Sequence, residues 1–70
     1  HSLFVAGATG AIVSLWPVSD GATAMMMDAL YARLAAGETP AQALTHARRS
    51  LMAAGFAPRD WAAFVYYGAS

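Results

Sequence analysis

The stretch Gly10-Ala11-Ile12-Val13-Ser14-Leu15-Trp16 is apolar at nearly every position, and it stops at Pro17. A strand without a polar face has to be covered on both sides, which is the pattern of a central strand in a parallel sheet flanked by helices. Seventy residues cannot supply that much cover. The expectation is therefore an α/β fold in which residues 1–70 form one piece of a larger domain. Composition agrees, because hydrophobic residues make up 59% of the chain and charged residues 11%, whereas soluble domains carry roughly a quarter charged residues. The excess apolar surface needs a partner. On composition alone, an obligate oligomer would meet that need equally well.

Several function classes are disfavoured at once. Net charge is zero and the arginines are scattered over Arg33, Arg48, Arg49 and Arg59, so there is no basic stripe for nucleic acid. The apolar stretch from Leu3 to Val18 is interrupted by Gly7 and Gly10. It also falls short of the ~20 residues that span a bilayer, and no charged segment with a cleavage pattern marks a secretory signal. A cytoplasmic protein with no membrane or nucleic-acid partner is expected. The chain has no cysteine, hence no disulfide and no thiol nucleophile of its own. Neither metal-ligand spacing nor a phosphate-binding glycine loop is present, so no metal and no cofactor are expected.

In chain order, Ser2-Leu3-Phe4-Val5-Ala6 reads as the last turn of a helix closed by Gly7. Ala8-Thr9-Gly10 then turns into the strand from Gly10 to Trp16, whose end is set by Pro17. This strand is expected to be buried on both faces, with the final strand on one side and a partner from outside the chain on the other. Ser19 or Asp20 can cap a helix that runs to Ala36. Its apolar stripe is Met26, Leu30 and Leu34, flanked by Met27 and Tyr31, and Gly37 ends it. With three methionines in a row, at least one must face solvent or a partner. Thr39-Pro40-Ala41-Gln42 combines an N-cap threonine, a proline at the first helical position and a glutamine that closes a capping box. That second helix is expected to reach about Ala54, with Leu44, Ala47, Leu51 and Ala54 inward and Gln42, His46 and Arg49 outward. His46 is expected to be a solvated surface histidine, since no acidic group or nucleophile lies at helical spacing from it. Phe64-Val65-Tyr66-Tyr67 reads as a strand, with Trp61-Ala62-Ala63 ambiguous. The short link around Glu38 makes the two helices antiparallel, so the last strand should run antiparallel to the first. Its tyrosines suit an edge, or an interface that pairs edges through Phe64 to Tyr67.

Four segments, taken together and in this order, carry a resemblance. Ala11-Ile12-Val13-Ser14-Leu15-Trp16-Pro17-Val18-Ser19-Asp20, then Ala22-Thr23, then Thr39-Pro40-Ala41-Gln42-Ala43-Leu44, then Trp61-Ala62-Ala63-Phe64-Val65 ahead of Gly68 look like the C-terminal part of a CHAT domain. CHAT domains are caspase-like and distantly related to caspases and separase. The resemblance covers nearly the whole chain. It implies the C-terminal, small-subunit-like piece of a caspase-haemoglobinase fold: strand, two helices and a final antiparallel strand. The family's cysteine peptidase chemistry uses a histidine, usually followed by glycine, and a cysteine, both upstream of the matching stretch. His1 is followed by Ser2 and is not matched to that histidine, so no catalytic residue is assigned here. The implied partners are the upstream, large-subunit-like part and a protein or peptide substrate. Because ligands of open α/β sheets bind beyond the carboxyl ends of the strands, the segment Trp16, Val18, Ser19 and Asp20 is the candidate substrate-binding site. Asp20 is then either a helix cap or first-turn charge, or, by similarity to separase-like relatives, the acidic floor of a specificity pocket. Other readings are a catalytically inactive caspase-like scaffold for protein interaction and a free-standing oligomeric interaction module.

Overall fold

The computed structural model describes residues 3–5 and 10–68. Six elements follow one another: β1 (Leu3–Val5), β2 (Gly10–Ser14), α1 (Asp20–Ala35), α2 (Pro40–Ala53), α3 (Pro58–Trp61) and β3 (Phe64–Gly68). The sheet has the order β1-β2-β3 and is antiparallel at both pairings. The expected succession of strand, two antiparallel helices and final antiparallel strand is present, and the fold is mixed α/β.

β2 is shorter than its apolar run. Ser14 pairs with Phe64, the first residue of β3, and the Leu15 amide reaches the Ala63 carbonyl at 2.8 Å. Beyond that point the partner chain has turned into α3. Leu15 and Trp16 therefore lie outside the strand, 42% and 40% exposed. Within β2 burial alternates, with Ile12 and Ser14 buried and Ala11 and Val13 half-buried. The helices cover one face of the sheet only, which corrects the expectation of burial on both.

Three further expectations are corrected at the N-terminal side. Leu3–Val5 is a strand and not a helix end, because Leu-Phe-Val carries β-favouring side chains and lies beside a β2 edge whose amides and carbonyls would otherwise lack partners. The second neighbour of β2 is therefore this segment of the same chain, paired Leu3↔Val13 and Val5↔Ala11. The described sheet contains no parallel pair. Gly7, the expected helix stop, lies outside the described residues.

The helices form as their end signals dictate. Ser19 caps α1, its hydroxyl accepting from the Ala22 amide at 3.2 Å. Gly37, at φ 93°, supplies the left-handed residue that ends it. The consecutive methionines divide as the helical period requires, with Met26 buried, Met27 half-buried and Met25 exposed. Thr39, Pro40 and Gln42 form the full capping box of α2, with reciprocal bonds of 3.0 and 3.2 Å. Ala43, Leu44, Ala47 and Leu51 are its buried face. Ala54 is exposed, contrary to expectation, because it is the C-cap and has already left the helical stripe. The ambiguous Trp61 closes the short helix α3, started by Pro58.

The core lies between the two long helices and one face of the sheet. It joins Ile12 and Phe64 to Ala22, Met26, Leu30, Ala43, Leu44, Ala47, Leu51 and Ala63. Fully burying side chains such as Ile12, Met26 or Leu51 contributes about 1.5–3 kcal/mol each. The many alanines let α1 and α2 approach each other closely.

Candidate substrate-binding loop

The loop from Leu15 to Ser19 leaves β2 at its carboxyl end and is held at several points. Its root is fixed by the Leu15 amide bond to Ala63. One residue on, the Trp16 indole Nε1–H donates to the Arg59 carbonyl at 2.7 Å. This tether ties the loop to α3, although the two residues are 43 apart in sequence. It leaves the indole partly open to solvent. Pro17 has no amide to satisfy and limits the turn. Val18 is half-buried and packs against the core, so it anchors the loop from beneath, while Trp16, Ser19 and Asp20 are exposed.

Ser19 and Asp20 divide the roles that the sequence left open between them. Ser19 is the N-cap, with φ −58° and ψ 152° and its hydroxyl on the Ala22 amide. Its carbonyl also accepts from the Thr23 amide at 3.0 Å. Asp20 is the first residue of α1 and the acidic group of its first turn, where the helix dipole favours negative charge. Its carboxylate is not the cap and makes no hydrogen bond to a described residue. Of the four expected site residues, Trp16, Val18 and Ser19 lie on the loop and Asp20 opens α1; Trp16, Ser19 and Asp20 are exposed and Val18 is half-buried.

A second polar cluster was not legible in advance. The Glu38 carboxylate lies 2.7 Å from His46 Nδ1 and 3.1 Å from Arg33 Nη1. His46 therefore has an acidic partner, contrary to the solvated surface role expected for it. The acid comes from the connection between the helices, eight residues away, and not from the helix itself. A Glu immediately before an N-cap threonine was the available signal, since it stands over the first turns of α2. The His46 hydrogen bond, foremost, together with Arg33, holds the Glu38 carboxyl below its ordinary value against an opposing desolvation effect. The cluster opens on a cleft of about 330 Å³ lined by Glu38, Gln42, Thr45 and His46. It has no poised nucleophile, because Thr45 Oγ1 donates to the Ala41 carbonyl and Ser50 Oγ to the His46 carbonyl. It also lies toward the opposite end of α1, a helix of 16 residues that spans roughly 24 Å.

A further concavity, about 910 Å³, is an open groove between α1 and α2 walled by Gly21, Met25, Ala29 and Ala53. Its lining is mostly apolar, with Asp28 the one ionisable group. Among the described residues there is no cluster of metal-ligating side chains and no helix long and apolar enough to cross a membrane.

These features define a mixed α/β unit with a tethered, partly acidic loop at the carboxyl end of its middle strand. Residues 1–69 match the family model of the CHAT domain, and the chain belongs to that caspase-like family. No curated protein and no solved structure matches it.

Proposed function

We propose that the chain is the small-subunit-like, C-terminal part of a caspase-like cysteine endopeptidase. It supplies core strands and one wall of the substrate pocket, while the Cys/His dyad belongs to an upstream portion of the same domain. The observation that carries this reading is the state of Asp20. Ser19 caps α1, so the Asp20 carboxylate stands without a described partner on the segment that follows β2, four residues after an indole fixed by its N–H. A carboxylate without a described partner at that position suits a cationic substrate side chain. Arginine or lysine is therefore the residue expected just before the cut.

The chemistry has to come from elsewhere. A thiol peptidase needs a thiolate beside a base; the chain has no cysteine, and His46 with its acid lies at the far end of α1. The test is cleavage of basic reporter peptides by the full-length protein and by the 70-residue chain, with and without a thiol-alkylating reagent. The expected result is cleavage by the full-length protein alone, abolished by alkylation. Cleavage by the short chain, or cleavage insensitive to alkylation, overturns the proposal. A full-length protein that binds peptides and never cuts them would instead be the interaction scaffold.

A further inference from the structure

Arg48 is the one arginine whose side chain turns into the structure. It is half-buried on α2, and its Nη2–H donates to the Phe64 carbonyl of β3. Its Nε is buried and has no hydrogen-bond partner, and its guanidinium forms no ion pair with a described residue. A long cation held in this way has exchanged water for one backbone carbonyl, so the choice of that carbonyl calls for a physical reason.

Strand register supplies it. The Leu15 amide bonds to the Ala63 carbonyl, so in the antiparallel ladder the next pair, Ser14↔Phe64, is a non-hydrogen-bonded one. The Phe64 carbonyl then points away from β2, toward the outer edge of β3. Arg48 meets it there with a charge-assisted bond, the stronger kind. Phe64 directly follows Ala63, whose carbonyl holds the root of the Trp16 to Asp20 loop. Arg48 is thus connected through two consecutive peptide groups to the place where that loop begins.

We infer that Arg48 is a positioning residue for the substrate-binding loop: by fixing the start of β3 from the helix layer, it fixes Ala63 and through it Leu15 and Trp16. This rests on the substrate-site reading of that loop. It also places a guanidinium on the first outward carbonyl of β3, so any strand added along Phe64 to Tyr67 would have to displace it or pair beyond it.

The experiment compares Arg48→Leu, which keeps the apolar stem, with Arg48→Lys, which keeps a donor, in the full-length protein. Amide exchange is read by mass spectrometry over 12–20 and 62–68, alongside KM and kcat on a reporter peptide. Arg48→Leu is expected to speed exchange in those two segments by roughly tenfold, the size of a lost charge-assisted bond, while α2 exchanges as before. KM should rise by a similar factor with kcat changed less, and Arg48→Lys should restore most of both. Unchanged exchange in both segments overturns the inference, as does a uniform rise across the whole chain with either variant. Faster local exchange with unaltered KM supports the positioning role and shows separately that substrate does not use this loop.

Discussion

The two faces of the sheet differ more than their residue types suggest. On one, Ile12, Ser14 and Phe64 are 0%, 5% and 0% exposed beneath α1 and α2. On the other, Ala11, Val13 and Val65 are half-buried and Tyr67 is 62% exposed. Both faces are largely apolar. The chain's own helices account for the burial of the first face alone. The second retains the kind of surface that soluble domains normally cover, in keeping with the proposal that an upstream portion completes the domain.

Paired substitutions on neighbouring residues of β3 test the contrast most strongly. Phe64→Ala opens a cavity in the helix-covered core and is expected to cost about 3–5 kcal/mol. Val65→Ala, one residue on and on the other face, removes two methyl groups that this chain alone leaves partly buried, a loss of about 1 kcal/mol without further cover. Chemical denaturation of both variants in the full-length protein checks this. A Val65 loss well above that figure is the outcome expected if the upstream portion covers the second face, and a loss at or below it would count against that cover.

Gly10 sharpens the same contrast at the sheet's other end. A Cβ there would lie 2.3 Å from Tyr66 Oη and 2.7 Å from Tyr66 Cζ, on the face that carries Ile12. Gly10→Ala should force the tyrosine ring off the core at about 1–3 kcal/mol, while Ala11→Val, on the opposite face, should be tolerated better. Thermal melts of the two variants decide it, and equal destabilisation would contradict the assignment of faces.

How much of this was legible depended on how local the cause was. The cap at Thr39, the stop at Gly37 and the division of the methionines follow from residues within one or two turns and were readable, while the cap of α1 was narrowed to Ser19 or Asp20. The antiparallel return of β3 followed from loop lengths. Leu3–Val5 was misread because a triplet of large apolar residues suits a helix end or a strand equally, and only an available sheet edge decides between them. The single-face burial of β2 was hidden, since Ala11 and Val13 are as apolar as Ile12. Within the candidate loop the composition was readable and the wiring was not. Nothing in the sequence links Trp16 to Arg59 or Arg48 to Phe64, because those bonds join side chains to backbone carbonyls that any residue would offer.

The smallest expected effect concerns the helix layer, laced at its far turn by Glu38. The folded protein holds the Glu38 carboxyl below its ordinary 4.5, chiefly through His46. A depressed carboxylate adds stability above its unfolded value and loses it as pH falls through the folded one. Glu38→Gln should therefore be slightly less stable than the parent above about pH 4.5, and the two should converge in more acidic solution. Melting curves at a series of pH values check the sign; a gap that widens on acidification would contradict it.

The proposal that the loop after β2 contacts substrate gives Asp20 the part of selecting the charge of the substrate side chain. It is tested most directly by assaying the full-length protein and its Asp20→Asn variant on two peptides that differ only before the cut, one with arginine and one with leucine. The expected result is a loss of about 10- to 100-fold on the arginine peptide, the scale of a hydrogen bond involving charge, and little change on the leucine peptide. Equal loss on both peptides, or no loss on either, would leave Asp20 as a first-turn charge of α1 and contradict the proposal.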